Sequence, residues 1–118
     1  MRMPLNATIE KLPDATAVVT LFGQMTLGTS LKVADSQIQG LITGGVTKLV
    51  IDLAAVDYMD SAGLGMLVYV FGTLREKQGV LRICAVAPRL LSLLQLTKTD
   101  TFLFMDQSRA DSLAALSE

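Results

Sequence analysis

Three apolar runs, residues 46–53, 80–86 and 101–105, alternate along the chain with stretches whose apolar residues return every three or four positions. Short apolar runs read as strands, and the wider spacing reads as one face of a helix. Strands separated by helices pair in parallel, through crossovers that are right-handed. This alternation restricts the chain to an α/β architecture.

A hairpin precedes it. Leu5, Ala7 and Ile9 face one way and Asn6, Thr8 and Glu10 the other, the pattern of a half-buried strand. Leu12, Pro13 and Asp14 supply a turn, and residues 16–22 form a β-branched run ending at Gly23. Thr29 or Ser30 is the expected cap of a helix reaching about Thr43, with Leu31, Ala34, Ile38 and Leu41 as its apolar stripe and Gly44-Gly45 at its end. Residues 46–53 are apolar enough to be buried on both faces. A loop at 54–59 and a turn at 60–65 then lead into a helix to about Gln78, stopped by Gly79. Pro88 suits the first turn of a helix from Arg89 to about Leu96. Ser108 is the expected cap of a last helix packed through Leu113, Ala114 and Leu116. The expected fold is one domain over residues 1–118, a mixed central sheet with an N-terminal antiparallel hairpin, parallel βα units and about four helices.

Composition narrows the function. A net charge of −1 leaves no basic footprint for nucleic acid, and no Lys/Arg-rich amphipathic face points to direct membrane binding. The opening MRMPLNATIE lacks the long apolar stretch of a signal peptide, so the expected location is cytoplasmic. Cys84 is the single cysteine and lies in an apolar run, where free cysteine is usually a small buried hydrophobe. The chain has no histidine, which removes a Ser-His-Asp triad, a His-ligated zinc and an imidazole base. No catalytic residue and no metal ligand set is expected.

The segment Asp60 to Gly65, DSAGLG, places a serine between a strand and a helix. Free N–H groups and the positive dipole at a helix start favour negative charge, so a phosphate on Ser61 would be tolerated there. Serine is also among the commonest helix caps. Beyond it, Leu64, Leu67, Val68, Phe71 and Leu74 make one stripe for docking on the sheet. Met66, Tyr69 and Val70 point away from that stripe, where a solvated helix would carry charge. Either another helix of the domain covers them, or they form a protein-docking face beside Ser61, which is the expectation taken here. Gly63 and Gly65 cost up to about 1 kcal/mol each in a first helical turn, so another backbone or a partner is expected to approach closely. Asp60 either orients the serine or contacts a partner, or simply favours the helix start. Asp57 reads as a solvated loop residue, and Tyr58 and Met59 as local packing.

The run KLVIDLAAVDYMDSAGLGMLV, residues 48–68, resembles the signature of STAS domains, specifically the bacterial anti-sigma-factor antagonists. Its strand ends in Asp52, a short hydrophobic stretch follows, and Asp60, Ser61, Ala62, Gly63, Leu64 and Gly65 match the motif at every position. The hairpin, the segment ICAVAP (residues 83–88) and the last amphipathic helix agree with the wider layout. The resemblance implies that a partner, at once serine kinase and anti-sigma factor, phosphorylates Ser61. The unphosphorylated form would bind that partner and free the sigma factor; the phosphorylated form would let go, and a PP2C-type phosphatase would reset it. ATP and magnesium would belong to the kinase, so the chain itself would need no cofactor and would not be an enzyme. The partner-binding residues expected are Asp60, Ser61, Ala62, Gly63, Gly65, Met66, Tyr69 and Val70. One segment departs from the family: Gly23-Gln24-Met25-Thr26 stands where many relatives carry Gly-Glu-Leu-Asp. That departure leaves open a STAS subunit of a lipid-transport ABC system, which would bind its ATPase without phosphorylation.

Overall fold

The computed structural model describes residues 3–117. Strand β1 (Asn6–Leu12) pairs antiparallel with β2 (Thr16–Met25), Leu12 lying opposite Thr16. There follow α1 (Thr29–Thr43), β3 (Lys48–Met59), α2 (Ser61–Glu76), β4 (Val80–Cys84), α3 (Pro88–Leu96), a 3₁₀ turn (Thr99–Thr101), β5 (Phe104–Asp106) and α4 (Arg109–Leu116). Strands β2 to β5 are parallel, and the order across the sheet is the order along the chain. This is the mixed sheet with four helices that the alternation predicts.

That strand order decides where the helices lie. When a sheet grows in one direction through right-handed crossovers, every connecting helix falls on the same face. Accordingly α1, α2 and α3 share one core with Val19, Leu21, Leu49, Ile51, Leu53 and Ile83. On the opposite face Val18, Val50 and Cys84 meet Leu113 and Leu116 of α4. Strand β3 is therefore covered on both sides, as its composition implies. Cys84 is wholly buried, and burial pushes its thiol up to about 11, the behaviour of a core residue. Polar contacts pin α4 to its face: Arg109 to Asp52 at 3.3 Å, and Ser112 to Asp106 at 2.7 Å.

Several element bounds differ from the sequence reading. Residues 54–59 are not a loop but the end of β3, still paired with β2 as far as Met25 opposite Met59. Two bulges absorb the extra residues: Thr20 and Phe22 oppose Asp52 and Ala55, and Gly23 and Gln24 oppose Val56 and Tyr58. The Asp52 carboxylate begins the first bulge by accepting the Ala54 N–H at 2.9 Å. Neither Thr29 nor Ser30 caps α1; its N-cap is Gly28, and Ser30 Oγ accepts the Leu5 N–H instead. The last strand is Phe104–Asp106, because Thr99–Thr101 coil into the 3₁₀ turn. Ser108 does cap α4, accepting the Asp111 N–H, but Ala114 faces solvent.

Candidate functional site

Strands β2 and β3 end side by side, and α2 begins where they stop. Asp60 is the N-cap residue of that helix, with extended backbone. Its Oδ1 accepts the N–H groups of Ala62 at 2.9 Å and Gly63 at 3.0 Å. Its Oδ2 reaches across to accept the Leu27 N–H at 2.9 Å. One carboxylate thus starts the helix and ties down the loop between β2 and α1. The Leu27 N–H most of all, then those of Gly63 and Ala62, hold this carboxyl below its ordinary 3.8 despite the opposing cost of desolvation.

Because Asp60 caps, Ser61 does not. It is the first residue of α2, exposed, and its hydroxyl makes no hydrogen bond to another described residue. The helix end is also less vacant than the sequence reading holds. Ala62 and Gly63 donate to Asp60 Oδ1, and Leu64 donates to the Asp60 carbonyl at 3.1 Å.

The two glycines separate. Gly63 is buried against the end of β2: a Cβ there would collide with the Met25 carbonyl oxygen and come within 2.7 Å of Met25 Cβ. The close approach expected of Gly63 is therefore made by the domain's own backbone. Gly65 has nothing within 4 Å of its missing Cβ and lies open.

The residues expected to form a docking face also separate. Val70 is wholly buried and Met66 is only 6% exposed, both inside the core shared with α1. Their expected exposure is corrected: α1 lies beside α2 on the same face of the sheet and covers them. Tyr69 alone of the three stands out, 58% exposed. Ser61, Gly65 and Tyr69, spaced by four residues, form one exposed row. Beside this row lies a groove of about 300 Å³ between α1 and α2, walled by Leu27, Leu31, Lys32, Ala62, Met66 and Tyr69. Leu27 is 77% exposed, a wall residue that neither the motif nor the helix pattern of the sequence marks. The sequence signal for it is an apolar residue directly before Gly28, at the turn between β2 and α1. Of the stretch Gly23-Gln24-Met25-Thr26, Met25 is buried under Gly63, Thr26 is half-buried, and Gln24 carries a buried Oε1 without a hydrogen-bond partner among the described residues. Met59 is buried against Gly63, as the sequence implies, and Asp57 is exposed as expected but lies in β3, not in a loop.

The profile of the STAS domain matches residues 6–112. The chain belongs to the STAS family. This STAS domain is 34% identical over 95 residues to an anti-sigma-B factor antagonist of Listeria monocytogenes, covering 79% of the chain and 82% of the relative. Its fold is that of an anti-sigma factor antagonist from Mycobacterium paratuberculosis, with a TM-score of 0.83 at 23% identity over 97% of this chain and 95% of the other. The anti-sigma factor antagonist SpoIIAA shares the fold in its unphosphorylated form, with a TM-score of 0.82 at 17% identity over 95% and 96% of the two chains. The phosphorylated form of SpoIIAA, from Bacillus, gives 0.76 at 17% identity over 94% and 99%. Among the described residues of the STAS domain, no helix is long and apolar enough to cross a membrane.

Proposed function

We propose that this STAS domain is an anti-sigma-factor antagonist, and that phosphorylation of Ser61 switches off its binding to an anti-sigma factor that is also a serine kinase. The observation that carries the reading is the state of Ser61: exposed, without a side-chain hydrogen bond among the described residues, and set beside the groove between α1 and α2 that Leu27, Leu31 and Tyr69 wall together with Lys32 and Asp35. The name of the Listeria relative supports the class of partner, and the two forms of SpoIIAA support the modification. In the forward step the γ-phosphoryl group of ATP passes to Ser61 Oγ, ADP leaves, and the hydroxyl proton goes to a base of the kinase. A PP2C-type phosphatase reverses it by hydrolysing the ester to inorganic phosphate. The chain contributes only the hydroxyl and its setting, as a substrate and a switch.

The setting favours a change in binding over a change in fold. Phosphorylation adds a charge of about −1.5 to −2. Helix ends typically offset charge by about 0.3–1 kcal/mol, but here Asp60 already takes the Ala62 and Gly63 N–H groups. Asp60 is itself ionised at neutral pH, since its pKa is lowered. The added charge is therefore left largely for the partner to meet. A partner packed on Ser61, Ala62, Gly65, Tyr69 and Leu27 would face bulk, desolvation and repulsion together. A loss of about 3 kcal/mol at such a centre lowers affinity roughly a hundredfold.

The test is to incubate the chain with the candidate kinase and ATP, map the modified residue by mass, and compare partner affinity of Ser61→Asp with Ser61→Ala. The expected result is modification at Ser61, constitutive binding by the alanine variant and loss of binding by the aspartate variant. Equal affinity of the two variants would discard the switch.

A further inference from the structure

Three of the chain's four phenylalanines, Phe71, Phe102 and Phe104, gather at the end of the sheet opposite Ser61, where β4 and β5 begin. With Val80 and Arg75 they wall a half-open hollow of about 360 Å³, a size typical of small-molecule sites. The wall is braced: Phe71 and Phe102 meet edge to face with ring centres 5.0 Å apart. Phe104 nevertheless stays 52% exposed and Val80 is exposed beside it, apolar area that the fold leaves in water. The only charged group on the lining is Arg75, whose guanidinium lies 5.9 Å from the centre of the Phe71 ring. No carboxylate among the described residues pairs with it. By contrast Arg82, whose guanidinium lies 5.2 Å from the centre of the Phe104 ring, is held in a two-pronged pair with Asp106.

We infer that this hollow is a binding site for a small amphiphilic carboxylate, an apolar body lying against the three rings with its head on Arg75. The ring walls favour an apolar body, since besides Arg75 the lining offers one polar side chain, Thr101, whose hydroxyl already donates to the Lys98 carbonyl at 2.7 Å. An unpaired guanidinium at the rim favours an anion, and a carboxylate matches its planar fork with two parallel hydrogen bonds. A cationic head would meet Arg75 and be repelled. The site lies away from the Ser61 row, so occupancy does not depend on the phosphorylation reading.

The test is a titration of the whole chain with decanoate below its micelle concentration, followed by amide NMR, with decanol as the neutral control. Saturable shifts are expected at Val80, Phe102 and Phe104, with none at Ser61 or Leu27. Arg75→Gln, an exposed change that leaves the core intact, is expected to weaken decanoate about tenfold and leave decanol unaffected. Phe104→Ala is expected to weaken both. Decanol binding as tightly as decanoate, shifts scattered over the surface, or no saturation would each overturn the proposal. So would shifts at the same amides on raising protein concentration without ligand, which would make a second copy of the chain the occupant.

Discussion

Two rows of residues run side by side along α2 and have opposite fates. Ser61, Gly65 and Tyr69 are exposed, while Gly63, Met66 and Val70 are buried. The buried row is fixed by neighbours in the same chain: the end of β2 against Gly63, and α1 over Met66 and Val70. The exposed row has no such neighbour, and the apolar wall made by Leu27 and Tyr69 continues it into a groove. One helix therefore separates what holds the fold from what is free to meet a partner. Substitutions on the two rows should separate in the same way, in stability on one side and in binding on the other.

The largest effect is expected on the buried row. Val70→Glu places an unpaired carboxylate in the core and is expected to cost about 4 kcal/mol or more, enough to unfold the domain. Denaturant titration measures this; a melting curve like wild type would move Val70 to the exposed row. Gly63→Ala follows, at about 3 kcal/mol, because the added methyl meets the Met25 backbone, which cannot move aside without disturbing the β2–β3 pairing. A stability unchanged by this substitution would mean that α2 does not sit so closely on β2.

On the exposed row the order of readouts reverses. Ser61→Asp is expected to change stability by no more than about 0.5 kcal/mol and partner affinity about a hundredfold. Tyr69→Ala is expected to weaken binding about tenfold with an equally small stability change. Loss of stability by Tyr69→Ala, with affinity intact, would dissolve the distinction between the rows. The smallest effect concerns the residue that joins them, Asp60. Its folded pKa is depressed, so its stabilisation is fully present above the unfolded value, near 3.8, and is lost as pH falls through the lower folded value. Asp60→Asn keeps a cap but cannot titrate, and its stability should fall less steeply below pH 4 than that of wild type. Parallel acid curves for the two proteins would remove the Leu27–Asp60 tie from the account.

Much of the fold was legible because it is written in local pattern. The alternating residues of β1, the Gly44-Gly45 stop, Pro88 and the Ser108 cap each act within a few positions of themselves. The bounds that moved were those set by long-range pairing. Residues 54–59 carry exposed Ala54, Ala55 and Asp57 and look like a loop, yet β2 keeps them in the sheet through two bulges. At the site, the motif located Ser61 and Asp60 but not their division of labour. Both are good caps by propensity, and the Leu27 N–H, 33 residues away, is what commits the Asp60 carboxylate. That bond, together with the Asp60 N–H donated to the Met25 carbonyl at 3.1 Å, holds the Leu27 loop beside the start of α2.

By itself the sequence determined the α/β class, the placing of a serine at a strand-to-helix junction, and the exclusion of histidine chemistry. Each follows from residue type and spacing alone. Only the tertiary structure decided which residues of α2 are surface. Helical periodicity says which side chains share a row, not what lies opposite that row. The opposing surface came from strand order: with β1 to β5 laid down in sequence and crossovers of one hand, α1 had to lie beside α2. That neighbour buried Met66 and Val70 and left Ser61, Gly65 and Tyr69 in water.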